Sequence, residues 1–165
     1  MDVQAILSNP MHTHLFIAAL LGAVIGLERA LTGKDPSLRT FALISVGSCI
    51  FAMLSVEVTK EAAHADPGRI AAQIIPGIGF LGAGAIFRQK RGISGLTTAA
   101  LMWVTAGIGM AVGLNRIDFA VSTTLVALFI TFGLKYVHRG IQHLRPDHQS
   151  QDRDDKLSNG GGSPE

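Results

Sequence analysis

IAAQIIPGIGFLGAGAIF, residues 70–87, runs eighteen residues without a charge and sets four glycines, Gly77, Gly79, Gly82 and Gly84, behind one proline, Pro76. That length approaches the roughly 20 apolar residues that an α-helix needs to cross a hydrocarbon layer about 30 Å thick. The same emptiness recurs on both sides: residues 3–27, 40–56, 93–115 and 119–134 also carry no Asp, Glu, Lys or Arg. Only 16% of the 165 residues are charged, whereas a soluble domain has roughly 25%. Five such segments leave too few polar helices to cover them, so the solvent they require is lipid, in which a chain must satisfy its backbone internally. The expected fold is therefore an all-α integral membrane protein. It is a bundle of about five short transmembrane helices, at 15–31, 38–57, 70–88, 94–114 and 118–137.

Short loops join these spans, apart from the one through VTKEAAHADPGR, and nothing between them could build a second domain. MDVQAILSNP has no Lys or Arg where a signal peptide would carry its basic region, so the first span is expected to be retained. From residue 146 onward the chain is polar and glycine-rich without apolar periodicity, which reads as a disordered tail. Orientation follows the positive-inside rule. With the N-terminus outside, eleven of the fourteen Lys and Arg residues fall inside, leaving Lys60, Arg69 and Arg116 outside. The expected layout is a periplasmic segment (1–14), a transmembrane domain (15–137) and a cytoplasmic tail (138–165), with the N-terminus out and the C-terminus in.

Three stretches could carry function. In LLGAVIGLERA, residues 20–30, Gly22 and Gly26 join Ala18 and Ala30 in a four-residue repeat, the smooth stripe that lets helices approach closely. Glu28 and Arg29 follow. Arg29 can reach the headgroups, whereas a carboxylate one turn inside the membrane is costly unless paired or wet. Arg39 and Arg88, on the same membrane side, are its expected partners, with proton or cation handling as the other reading of Glu28. The second stretch is the glycine-rich segment itself. Its string of glycines mimics a dinucleotide-binding loop, but the required acid about 20 residues onward is absent, and position 104 is a valine in another apolar span. Pro76 with Gly77, Gly79, Gly82 and Gly84 instead implies close helix packing, or a broken helix that presents carbonyls to an ion. The third stretch is RQKRGISGLTTAALMWVTAGIG, residues 88–109, in which Thr97, Thr105, Gly109 and Gly113 share one register with Thr98 alongside. The threonines could line a polar path, or bond their own helix. Trp103, in mid-span, is expected to pack inside the bundle.

No His/Cys/Asp cluster has metal-ligand spacing, and no nucleophile stands beside a base in a recognisable motif. An enzyme, a resident cofactor and a nucleic-acid partner are therefore not expected.

GAVIGLERA, SLRTFALISVGS, RIAAQIIPGIGFLGAGAIF and GLTTAALMWVTAGIGMAVG, in that order over residues 22–113, resemble the successive signatures of the MgtC/SapB membrane domain. The resemblance implies a multi-pass protein of the bacterial inner membrane, linked to growth under magnesium limitation. It also implies a regulatory role through membrane partners, the proton-driven ATP synthase among them, alongside the older label of magnesium transporter. Two departures separate this chain from the virulence branch of the resembled family. Gln89, Thr97 and Val104 stand where that branch has Glu, Asn and Cys, and the polar tail replaces an ACT-like domain. The resemblance is thus to a generic SapB-type member, and the virulence role is not carried over. The leading expectation is a non-enzymatic regulator of stress adaptation, as a homo-oligomer or with another membrane protein. The alternative is a divalent-cation (Mg²⁺) transporter. Magnesium favours octahedral oxygen ligation with carboxylates, and the spans offer Glu28 near one face with Glu57 and Asp118 near the other, so no pair meets at mid-membrane.

Overall fold

A computed structural model describes residues 10–33, 36, 38–60, 66, 68–89 and 92–144. The expected tail after residue 145 and the segment before residue 10 lie outside these residues. Five helices follow in order: α1 (Pro10–Leu31), α2 (Leu38–Lys60), α3 (Arg69–Ala85), α4 (Leu96–Gly113) and α5 (Ile117–Leu144). Between α3 and α4 stands a small antiparallel hairpin, β1 (Phe87–Gln89) and β2 (Gly92–Ser94), paired with Phe87 opposite Ser94 and Gln89 opposite Gly92. Three helical stretches, 11–31, 38–60 and 96–113, are long and apolar enough to cross a membrane, while α3 and the apolar part of α5 (Ile117–Gly133) are shorter. The chain is an all-α membrane bundle with one hairpin inserted, and it divides into two compact units, residues 1–129 and 130–165.

Within the first unit α2 is the central helix, with α1 and α4 packed along it. Small residues dictate this. A Cβ on Gly22 would come within 2.6 Å of the Phe41 carbonyl and 2.7 Å of Ser45 Cβ, so α1 rests directly on the α2 backbone. From α4, Gly109 meets the Ser45 carbonyl and Gly113 meets that of Cys49. Ser45 therefore lies between two glycine contacts from different helices. Lipid tails are as apolar as leucine, so contact this close is what drives association in a bilayer. Gly26 continues the α1 stripe against Leu38, while Ala30 is exposed.

α3 is interrupted at Gln73, between a single turn (Arg69–Ala72) and a longer helix (Ile74–Ala85). The cause lies four residues onward. A proline ring collides with the carbonyl of residue i−4, here Ala72, so the helix restarts and Pro76 falls in its first turn, where a missing N–H costs nothing. The Ser55 hydroxyl accepts a hydrogen bond from the Ala71 amide at 3.2 Å, tying α3 to α2. At the end of α4, Asn115 takes a left-handed φ of 58°, while the Arg116 amide bonds back to Ala111 and the Asn115 amide to Val112. This is the Schellman closure that asparagine tolerates, and α5 starts at once after it. Ala120, Thr124 and Ala127 form the buried face of α5 in this unit.

Three expectations differ from this arrangement. Phe87–Gln89 and Gly92–Ser94 form paired strands rather than helix, so Arg88 belongs to β1 and not to the third span. Trp103 is 55% exposed rather than interior, because α4 turns Met102, Thr105, Ala106 and Gly109 inward. Gly77, Gly79 and Gly84 are exposed, and a Cβ on any of them would meet nothing within 4 Å. Among the described residues, the close packing inferred for the glycine-rich helix is thus absent at these three positions, while Gly82 packs against Ala99.

Candidate functional site

The buried charges lie where α1 ends. Gly22 and Gly26 hold this end of α1 against α2, which encloses the following turn. Glu28 and Arg29 are only 5% and 3% exposed. The Arg29 guanidinium donates through Nη2 to Thr98 Oγ1 at 2.7 Å, joining α1 to the first turn of α4 across sixty-nine positions of sequence. Its Nη1 lies 3.9 Å from Glu28 Oε2, near enough for charge attraction and too long for a hydrogen bond. Glu28 Oε2 and Arg29 Nε have no hydrogen-bond partner.

This corrects two expectations. Arg29 does not extend to the headgroups, because α4 supplies an acceptor within its reach. The partner of Glu28 is its neighbour Arg29 rather than Arg39 or Arg88, both of which are exposed, on α2 and β1. The pair is neutral overall but each partner keeps one unsatisfied atom, an arrangement that is expensive in a low-dielectric interior.

The threonines divide as well. Thr98 is buried and serves Arg29, while Thr97, one position earlier, is exposed. Thr105 donates to the Leu101 carbonyl of its own helix at 2.7 Å, so its hydroxyl lines no path. The register of Thr105, Gly109 and Gly113 is a helix-packing seam on α2.

Two cavities adjoin these elements. One, of about 530 Å³, is walled by Arg29, the end of α3, the hairpin and the first turn of α4. The other, of about 580 Å³, opens between α2 and α3, with Thr40, Ser48 and Gln73 as its polar groups among apolar side chains. Among the described residues, no three His, Cys, Asp or Glu side chains stand together in a way that could hold a metal ion. Glu57 pairs with Lys60 at 2.8 Å on the surface, and Asp118 lies 3.9 Å from Arg116. Ser94 and Gly95, which the hairpin brings to the wall of the first cavity, were not among the expected site residues. Their only signal was the glycine pair, Gly92 and Gly95, flanking a short β-capable run.

A family model described as the MgtC family matches residues 15–140. Among curated relatives, a protein of Haemophilus influenzae is 41% identical over 154 residues, covering 84% of this chain and 65% of its own length. "Protein MgtC" of Salmonella typhimurium (strain LT2) is 40% identical over 141 residues, covering 86% of this chain and 59% of the relative. "Putative magnesium transporter YhiD" of Escherichia coli (strain K12) is 40% identical over 121 residues, covering 70% and 56%. The chain thus spans between 56% and 65% of the length of these relatives. No solved structure matches it.

Proposed function

The chain belongs to the MgtC family, and on that premise we propose that it is a non-enzymatic protein of the bacterial inner membrane that supports adaptation to low magnesium by docking against a membrane partner. The observation that carries this reading is Gly79, on the side of α3 that does not line the cavity shared with α2. A glycine there lowers helix stability by about 1 kcal/mol relative to alanine, yet a Cβ at this position would meet nothing within 4 Å. In α1 and α4 the same residue type admits a neighbouring backbone. A partner helix at α3 would give Gly79 the same role, with the exposed Phe80 beside it as a larger contact.

The test is Gly79→Leu. The side chain enters open space in the isolated protein, so membrane abundance should match the wild type, while growth of a complemented deletion strain in low magnesium should fail. Normal growth at normal abundance would reject the docking reading.

Divalent-cation transport is the second reading, favoured by the buried carboxylate oxygen of Glu28 and by the printed name of the Escherichia coli relative. Against it stands the guanidinium of Arg29, which occupies the position a cation would need beside Glu28.

A further inference from the structure

We infer that the cavity between the hairpin and the first turn of α4 is a binding site for a phosphate group. Three independent features converge there. The first is Arg29. It is 3% exposed and forms part of the cavity wall, with Nη2 given to Thr98 and an Nε that is buried without a hydrogen-bond partner. Arginine offers its N–H groups in a planar fork that fits a phosphate oxygen pair, and a rotation of the side chain toward the cavity would satisfy the donor now left without a partner.

The second feature is the start of α4. Its first amides, on Leu96, Thr97 and Thr98, have no intrahelical acceptor by position, and no side chain caps them. Gly95 holds the turn in a left-handed conformation, φ 90°, and a Cβ there would collide with the Ala85 carbonyl. The chain therefore needs glycine at the very position where a serine or aspartate would ordinarily satisfy those amides. α4 is eighteen residues long, so its N-terminus presents partial positive charge together with free donors.

The third feature is the rest of the lining. Ser94, Thr97 and Thr98 add hydroxyls, and among the described residues no carboxylate lines the cavity. Glu28 is the nearest acid known to bear on the site, through its 3.9 Å approach to Arg29 Nη1. It weakens the site without occupying it. A phosphate would thus meet the Arg29 guanidinium, hydroxyl donors and a helix N-terminus, in a space of about 530 Å³ that accommodates a phosphate with its ester substituent. The group could come from free inorganic phosphate or from the headgroup of an anionic phospholipid, and both present the same oxygens.

The test uses the full chain in uncharged dodecyl maltoside micelles, with the melting midpoint followed at constant ionic strength. In one arm inorganic phosphate replaces chloride. In the other, phosphatidylglycerol replaces phosphatidylcholine in mixed micelles. A concentration-dependent rise with phosphate alone assigns the site to the free anion, a rise with phosphatidylglycerol alone assigns it to the lipid, and a rise in both means the phosphate group itself is recognised. Thr97→Asp separates binding from folding. The exposed carboxylate lies at the helix N-terminus, so the unliganded variant should melt at least as high as wild type. The same charge should weaken the ligand by about tenfold or more, because it competes for the free amides and repels the anion. Arg29→Lys keeps the charge beside Glu28 but loses the fork, and should also weaken binding. No rise in either arm, or a Thr97→Asp variant that responds like wild type, would overturn the assignment.

Discussion

Replacing Gly109 by leucine probes the closest helix crossing in the protein. Even a Cβ at this position would overlap the Ser45 carbonyl, and a leucine needs several ångströms more. The obstacle is backbone, so no rotamer of a neighbour can relieve it, and α4 must leave α2. A crossing of this kind holds on the order of 30 heavy-atom pairs at about 0.1–0.2 kcal/mol each, so losing it forfeits about 3–6 kcal/mol. Replacing a helical glycine returns about 1 kcal/mol. The net expectation is a loss of about 2–5 kcal/mol, in the range reserved for severe overpacking or loss of core contact. Gly79→Leu is the matched control, because its Cβ meets nothing within 4 Å. It should be neutral or more stable by about 1 kcal/mol. Both are read by unfolding in mixed micelles with rising dodecyl sulfate, followed by far-ultraviolet circular dichroism. Equal midpoints for Gly109→Leu and wild type, or an equal fall in both variants, would refute the packing argument.

Glu28→Gln should lower membrane abundance, because removing one half of a buried pair costs about 3–5 kcal/mol. Adding Arg29→Met should restore part of it, and a double variant no better than the single one would dissolve the pair. Ser55→Ala leaves the buried Ala71 amide without its acceptor and should cost about 1–3 kcal/mol in the same micelle assay. An unchanged midpoint would mean that the bond contributes nothing. For topology, a reporter fused after Arg145 should read cytoplasm and one between Thr59 and Gly68 periplasm, from the eleven-to-three distribution of basic residues. Both reporters on one side would end the five-span layout.

The spans were legible because burial in lipid demands uninterrupted apolar length, and charge-free runs show that length directly. The same solvent hides the rest. Both faces of a membrane helix are apolar, so periodicity cannot say which side packs. Trp103 illustrates this, since its surroundings in sequence, Met102 and Val104, are as apolar as those of any interior residue. The small-residue stripe in α1 did mark a packing face, because glycine at four-residue spacing marks contact rather than hydrophobicity. In α3 the glycines, spaced by two and three, pointed to contacts that among the described residues Gly82 alone makes. The partner of Glu28 was misplaced for another reason. The strand Phe87–Gln89 removes Arg88 from the third span, and the hydroxyl of Thr98, sixty-nine residues away in sequence, draws Arg29 inward. Neither effect leaves a mark on local composition.

The claim that the protein works by contact and not by conduction is tested most directly by magnesium flux. The purified full chain is reconstituted into liposomes loaded with a magnesium-sensitive dye, and an inward Mg²⁺ gradient is imposed. A protein that works by contact gives a fluorescence change no faster than in protein-free liposomes, with wild type and Glu28→Gln indistinguishable. A Mg²⁺ influx that depends on the protein and disappears in Glu28→Gln would contradict the claim.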